Sequence, residues 1–393
     1  MSDRCLFQHL KLQGFLSFGP DGVDLALEPL NVLIGANGSG KSNTLEAFSL
    51  LQAAPRDLPR PVREGGGVSE WLWKGSVESD RAAEAAIEVV TTSGRHPGRP
   101  RGVPLRYRLA FGEEGQRFRV TDERLENATA EPGHDKPYFY FGYEKGRPML
   151  NVSGEAHREL RRDEIDPEQS ILSQRKDPDQ YPELTWLGEI LGRITIYRDW
   201  CIGRHAAPRR PQKADLPNDY LLEDASNLGL VLNRLRRGPA WDRLISELRN
   251  LYPGIDDVDV SIEGGTVQVV LREGRRVIPA TRLSDGTVRY LCLLAVLCHP
   301  QPPPFVGIEE PELGLHPDVL PGLADLLVDA SSRTQLLVTT QSDILVDALT
   351  STPESVVVCE MTDGATKLRR LNQEDLRPWL GAPTSNRFRR ARF

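Results

Sequence analysis

A glycine-rich segment near the N-terminus limits the folds open to this 393-residue chain more than any other feature. It reads Gly-Ala-Asn-Gly-Ser-Gly-Lys-Ser over residues 35–42 and fits the pattern G-x-x-x-x-G-K-[ST]. A short apolar run, Leu30–Ile34, precedes it and is typical of a strand buried on both faces. A helical pattern over Asn43–Leu51 follows it. The order strand, loop, helix, which this pattern requires, is therefore present.

Each part of this segment suits a phosphate group. The glycines let backbone N–H groups close around phosphate oxygens, and the N-terminus of the next helix adds partial positive charge. Lys41 can reach the β- and γ-phosphates, and the Ser42 hydroxyl can ligate Mg²⁺. We predict a site for ATP and Mg²⁺ with the binding residues Gly35, Asn37, Gly38, Gly40, Lys41, Ser42 and Asn43.

A second apolar run, Phe305–Ile308, leads into two acidic residues and a proline. Ligands of parallel α/β sheets bind at the carboxyl ends of the strands. We predict that Glu309 holds Mg²⁺, directly or through water, and that Glu310 orients and deprotonates the attacking water. Neighbouring side chains on a strand point to opposite faces, so both can serve only where the strand ends, and Pro311 favours such an end. Taken alone, the acidic pair also fits a solvated turn.

A third segment, Leu283–Thr287, precedes an apolar helical run over Val288–Cys298. A serine and a glycine at a helix N-terminus form another cradle for an anion, which makes Ser284 and Gly286 candidate nucleotide-binding residues. The same residues also suit an ordinary turn and helix cap. Their position just before the acidic strand favours the nucleotide-binding interpretation.

The order of these three segments resembles that of ABC-type ATPases. The run Glu309–Pro317, the opening Leu12–Phe18 and the loop Asn37–Asn43 are similar to the RecF/SMC-like branch, particularly to predicted AAA ATPases related to OLD-family and anti-phage defence ATPases. The resemblance implies an α/β P-loop NTPase, an ABC-type ATPase head with a mixed β lobe and a helical lobe. No sustained heptads occur, so a long coiled coil is excluded.

The resemblance also implies a head-to-tail homodimer with composite ATP sites, in which Leu313–His316 lines the interface. Each ATP would contact one subunit through Lys41, Ser42, Glu309 and Glu310, and the other through Ser284 and Gly286.

One residue departs from the family pattern. Where the family usually has Thr-His-Ser after the last strand of the site, this chain has Gln341 between Thr340 and Ser342. A glutamine amide can donate a hydrogen bond to a γ-phosphate oxygen, but it cannot become cationic or pass a proton. We therefore predict that Gln341 takes part in slow hydrolysis. The alternative is a polar residue that merely follows a strand.

Sequence patterns divide the chain into three parts. Residues 1–92 form the N-terminal part of the ATPase lobe with the glycine-rich loop, 93–280 a variable inserted lobe with helices and a β-hairpin, and 281–393 the C-terminal part of the ATPase. Between Ser93 and about Pro182 the periodicity is lost, which predicts short strands and long loops.

Composition limits the partners and the compartment. A net charge of −7 gives no global attraction to nucleic acid, but the arginine-rich segments Arg95–Arg108 and Arg387–Arg392 are candidate DNA contacts. The alternative is a solvated surface and a frayed terminus.

Five scattered cysteines argue against a disulfide framework or zinc site and for a reducing cytoplasm. No apolar run is long enough to span a membrane.

The leading hypothesis is an ATP-hydrolysing, dimerising switch in DNA maintenance or anti-phage defence, acting with a separate effector or nuclease protein. The alternative is a nucleotide-sensing scaffold or toxin-partner module with little or no turnover. A small-molecule kinase is disfavoured, because Ser284 and Gly286 would then have no purpose. Arg209, Arg210 and Arg289 are candidates for contacts to phosphate or to a partner subunit, and the sequence leaves that choice open.

Overall fold

The computed structural model describes residues 5–75, 84–92, 103–144, 146–152, 158–198, 200, 203–372 and 374. Two compact units emerge from contacts along the chain, and each combines segments distant in sequence. The first unit comprises Met1–Glu28, Gly35–Ile194 and Val357–Arg370, and the second comprises Pro29–Ile34, Thr195–Val356 and Leu371–Phe393. The predicted division into three parts stays a prediction.

The first unit contains an antiparallel sheet of eight strands in the order β2-β1-β4-β5-β6-β7-β8-β9. The strands are β1 (Phe7–Gln13), β2 (Val23–Ala26), β4 (Glu84–Thr91), β5 (Leu105–Glu114), β6 (Arg117–Asn127), β7 (Phe139–Glu144), β8 (Arg147–Leu150) and β9 (Arg158–Glu159). β3 (Leu30–Ile34) belongs to the second unit.

The helices of the first unit and a C-terminal hairpin complete it. They are α1 (Lys41–Ala53), α2 (Pro59–Glu64), α3 (Val68–Trp71), α4 (Ile171–Gln174) and α5 (Pro182–Leu191), with β17 (Val356–Thr362) and β18 (Ala365–Arg370) paired antiparallel. α1 packs its apolar face on the sheet, and the rings of Phe48 and Phe7 lie 5.6 Å apart. This packing fixes the helix that follows the glycine-rich loop.

The prediction of short strands between Ser93 and Pro182 is wrong in part, because β5 has ten residues and β6 has eleven. Charged and buried residues alternate along much of both strands, which is the pattern of half-buried strands that the sequence prediction overlooked. Arg106 and Arg108 of β5 pair with acidic partners on β6, at 3.0 Å from Glu126 and 2.5 Å from Asp122. Cross-strand ion pairs of this kind add to the stability of an antiparallel sheet whose other face is buried.

The second unit contains a parallel arrangement of four strands in the order β10-β15-β16-β3. β10 spans Thr195–Tyr197, β15 spans Phe305–Glu309 and β16 spans Gln335–Thr340. Every residue of β3 and β16 is buried, as expected for inner strands of a parallel sheet covered on both faces. Glu309 pairs with Thr339, and Ile34 pairs with Thr340. The carboxyl ends of β15, β16 and β3 therefore meet at one edge.

Helices and a small antiparallel sheet form the rest of the second unit. The helices are α6 (Leu228–Leu235), α7 (Ala240–Leu251), α8 (Asp285–Leu297), α9 (Leu320–Ala330) and α10 (Asp343–Asp347). The small sheet consists of β11 (Gln212–Lys213), β12 (Asp257–Glu263), β13 (Thr266–Glu273) and β14 (Arg276–Pro279). The predicted hairpin around Gly264-Gly265 is its β12–β13 turn.

The predicted α/β fold class is confirmed, with antiparallel and parallel sheets and a helical part. The longest described helices, α1 and α8, have 13 residues each, far too short for a coiled-coil arm. Within the described ranges, no helix has both the length and the apolar character that crossing a membrane would need.

Candidate functional site

The glycine-rich loop has the backbone shape that its sequence predicts. It leaves β3 at Gly35 and enters α1 at Lys41, with φ of +76° at Gly38 and +95° at Gly40. A Cβ on Gly40 would lie 2.2 Å from the Thr366 hydroxyl oxygen, whereas one on Gly38 would meet nothing within 4 Å. Gly40 is therefore required both by its backbone angle and by close packing, and Gly38 by its backbone angle alone.

The first three side chains of α1 have different surroundings. Lys41 is 5% exposed, and its ammonium donates to the carbonyl oxygens of Gly35 at 2.8 Å and Ala36 at 3.0 Å. The Ser42 residue is exposed, and Asn43 instead donates to the Ser17 hydroxyl at 2.7 Å. A held lysine, an exposed hydroxyl and the N-terminus of a 13-residue helix fit a nucleotide phosphate with its magnesium.

Two residues behind the loop were missed by sequence reasoning. The Thr366 hydroxyl contacts the Ser17 hydroxyl at 2.7 Å and donates to the carbonyl oxygen of Ser39 at 3.0 Å. Ser17 lies in a segment that carried the family resemblance, so a signal for it existed. Thr366 had none, because β18 lies far along the chain. Together they hold the loop, and Asn43 contributes to their network rather than facing outward.

A buried cysteine lies beside the loop. A Cβ on Gly35 would lie 2.3 Å from the carbonyl oxygen of Cys359, so β17 approaches the loop closely. Burial raises the pKa of the Cys359 thiol to about 12, partly offset by the Lys41 charge. The thiol therefore stays protonated and serves as packing at neutral pH.

The acidic strand ends where the sequence predicts. β15 closes at Glu309, and Glu310 has φ of +43°, in the left-handed region that non-glycine residues rarely adopt. The Glu310 N–H donates to the Thr339 carbonyl oxygen at 3.0 Å, which holds this turn against β16. This break in the strand frees the two neighbouring carboxylates from the alternation of a regular strand.

Gln341 and Glu312 join the two strand ends. The Gln341 amide donates to the Glu310 carboxylate. Glu312 accepts from the Thr340 hydroxyl at 2.6 Å and from the Gln341 N–H at 2.9 Å, both at its Oε1 atom. Sequence reasoning singled out Gln341 but missed Glu312, whose partners lie 28 and 29 residues away.

A further cation lies at the same edge of the second unit. Arg198 follows β10, and its guanidinium lies 4.0 Å from the Glu309 carboxylate. Because β10 and β15 are parallel neighbours, residues that follow their carboxyl ends come together. Sequence reasoning missed Arg198 as well, since β10 is too short to be recognised by its pattern.

Ser284 and Gly286 have structural roles in the second unit. The Ser284 hydroxyl caps α8 by accepting from the Thr287 N–H at 3.1 Å. A Cβ on Gly286 would lie 2.7 Å from the Gly314 carbonyl oxygen, so the first turn of α8 packs on the loop after β15. Arg289 of α8 donates to the Glu310 carbonyl oxygen at 3.3 Å. The serine and glycine thus lie on a helix start tied to the acidic loop.

Only a few of the candidate DNA contacts lie among the described residues. Most of Arg95–Arg108 and all of Arg387–Arg392 lie outside the described residues. Arg106 and Arg108 are engaged in ion pairs on the sheet, so they serve sheet stability.

A glycine-rich phosphate loop between a buried strand and a helix, and an acidic end on a parallel strand, define a nucleotide-binding P-loop ATPase. The chain belongs to the family described as AAA domain, putative AbiEii toxin, Type IV TA system, whose model matches residues 30–199 and 203–347. No curated protein matches the chain.

Solved structures place the fold among SMC heads. An SmcHead bound to the C-winged helix domain of ScpA is 19% identical with a TM-score of 0.58, over 94% of this chain and 99% of that one. A Pyrococcus furiosus Smc head with an extended coiled coil, bound to the C-terminal domain of ScpA, is 16% identical with a TM-score of 0.59, over 95% and 98%. A Pyrococcus yayanosii Smc head domain with a coiled coil and joint is 14% identical with a TM-score of 0.53, over 95% and 99%. At these identities the likeness shows the fold alone.

Proposed function

We propose that this chain is an ATP-hydrolysing switch in which ATP and Mg²⁺ join two copies head to tail. One observation carries the proposal most directly. In the second unit, the acidic end of β15 and the Gln341 side chain meet at the edge where β3 ends, and β3 is followed in the chain by the phosphate loop.

Each residue has a proposed role in this reaction. The glycine-rich loop and Lys41 bind the phosphates, and Glu310 accepts the proton of the attacking water. Mg²⁺, bound by Ser42 and Glu309, would offset the charge of the phosphate oxygens. Ser284 and Gly286 at the start of α8 would contact the nucleotide of the second copy through the partial positive charge of the helix.

Gln341 favours slow turnover. Its amide donates to the Glu310 carboxylate, so a hydrogen bond holds the proposed base. A neutral amide can orient this carboxylate but cannot carry a proton away from it. We expect Gln341→His to raise the multiple-turnover rate, and an unchanged rate would remove Gln341 from the mechanism.

The test is the oligomeric state of a Glu310→Gln variant, measured by light scattering with and without ATP and Mg²⁺. Without its base the variant should retain ATP, and its mass should rise from the 43.9 kDa monomer to twice that value. Ser284→Arg in the same background should prevent the rise and leave ATP binding unchanged, because it places a bulky cation at the start of α8. A variant that binds ATP and stays monomeric would contradict the proposal.

A second candidate function follows from the same glutamine and from the family description. The chain could act as a nucleotide-sensing scaffold or toxin partner in which ATP binding matters more than turnover. Multiple-turnover phosphate release, measured with and without DNA, separates the two. Turnover that rises with DNA supports the switch in DNA maintenance or anti-phage defence, with a separate effector or nuclease. Binding without turnover supports the sensor.

A further inference from the structure

A buried arginine lies outside the residues described so far. Arg209 ends the short turn Ala207–Arg209, and only 3% of its side chain is exposed. A charged group is rarely buried to this extent unless hydrogen bonds compensate the loss of water. The partners of this guanidinium therefore indicate why the charge is kept there.

Three hydrogen bonds join this guanidinium to one segment, residues 280–285. Arg209 Nη1 donates to the carbonyl oxygens of Ala280 at 3.0 Å and Leu283 at 2.7 Å. Its Nη2 donates to the Asp285 carboxylate, which is 72% exposed. Because water screens that carboxylate, the two buried carbonyl bonds are the stronger restraint. These two bonds hold the turn that directly precedes Ser284, the residue that caps α8.

The small sheet anchors both sides of this contact. β11 starts three residues after Arg209 and pairs with the beginning of β13. β14 pairs with the end of β13 and runs directly into Ala280. The segment that contains Arg209 and the segment that Arg209 holds are therefore both joined to β13. A displacement within the small sheet would reach the start of α8 through this arginine.

We propose that Arg209 is a positioning residue that fixes residues 280–285, so that Ser284 and the N-terminus of α8 are presented to the nucleotide of a second copy. The small sheet β11–β14 is thereby coupled to ATP-driven association. This inference rests on the proposed function. The described hydrogen bonds of Arg209 are made within the chain, a positioning role that its sequence did not indicate.

The test places Arg209→Met in the Glu310→Gln background, since methionine keeps much of the volume and removes the donors. Binding of a fluorescent ATP analogue should stay within about twofold, because the hydrogen bonds that the substitution removes go to residues 280–285. ATP-driven dimerisation, followed by light scattering over a range of protein concentrations, should weaken by roughly 30-fold or more, as two hydrogen bonds of a charged donor are lost. Amide exchange of residues 283–288 should become faster than in the parent.

The control is Gln212→Met, also in the Glu310→Gln background. Gln212 is equally buried, lies three residues further on, and accepts from the Gly229 N–H at 2.7 Å. It removes a side-chain bond to α6 and keeps the backbone pairing of β11 with β13, so it should lower stability while ATP-driven dimerisation persists. If Arg209→Met does not fold, Arg209→Lys makes the same comparison, since an ammonium cannot reproduce the guanidinium fork.

The outcomes separate the two proposals. A parent that stays monomeric with ATP overturns the proposed function together with this inference. A parent that dimerises equally well with Arg209→Met overturns the inference alone, and so does an equal loss of dimer in Gln212→Met.

Discussion

The glycine-rich loop of the first unit and the acidic loop of the second reach similar shapes by different means. Both follow a buried strand, and both turn the backbone to positive φ. In the first loop the positive φ falls on Gly38 and Gly40, where it costs little. In the second it falls on Glu310, where it costs about 1–2 kcal/mol. One loop is shaped by its own residues and the other by its surroundings.

The surroundings of Glu310 come from another strand. Its N–H is held by the Thr339 carbonyl oxygen, and its carboxylate accepts from Gln341. Glu312, two residues on, accepts from Thr340, the last residue of that strand, and from Gln341, the first residue beyond it. The turn therefore depends on bonds made only after β15 and β16 have paired. The comparison teaches that the phosphate loop is a local structure, whereas the acidic loop is a tertiary one.

The largest effect is expected in the first loop, from Gly40→Ala. The new Cβ would lie 2.2 Å from the Thr366 hydroxyl and 2.7 Å from the Ser17 hydroxyl, at a φ of +95°. Backbone strain and overpacking together should lower the free energy of unfolding by about 3 kcal/mol. Urea denaturation measures this loss, and nucleotide binding should weaken with it because the loop is displaced.

Gly38→Ala is the matched control for that change. Its Cβ would meet nothing within 4 Å at a φ of +76°, so only the backbone strain of about 1 kcal/mol remains. Equal losses for the two variants would show that the packing of Ser17 and Thr366 behind the loop does not matter.

The same difference explains what the sequence could predict. The glycine-rich loop, its strand and its helix were found because their signals lie within about twenty consecutive residues. The end of β15 was predicted from Pro311 and from the change of apolar to acidic residues. Glu312, Thr366 and Arg198 escaped because their roles come from partners brought close by strand pairing. Arg209 was noticed as a charge, but its burial could not be read from the sequence.

A smaller effect is expected in the second loop, from Glu312→Ala. Its removal leaves the Thr340 hydroxyl and the Gln341 N–H without their acceptor. The Gln341 side chain would then hold Glu310 less firmly, and we expect kcat to fall about tenfold with KM for ATP little changed. Steady-state phosphate release measures both constants.

Glu312→Gln is the matched control, since both hydrogen bonds end on one oxygen of Glu312 and an amide oxygen can accept them equally. This variant should keep most of the activity. If alanine and glutamine reduce kcat alike, the negative charge of Glu312 matters rather than its bonds, and the acidic loop is not held as described.

The smallest change in stability distinguishes the two loops most directly, because its sign is opposite to the one usually expected when a glycine is introduced. Glu310→Gly should abolish hydrolysis yet raise the free energy of unfolding by about 0.5–1 kcal/mol, since relief of left-handed strain exceeds the entropy of the added glycine. Glu309→Gly, at the end of a regular strand, should lower it by about 1 kcal/mol instead. Urea denaturation without nucleotide compares the two. If both substitutions destabilise the chain, then the backbone of Glu310 is not strained. The proposed difference between the two loops would then be absent.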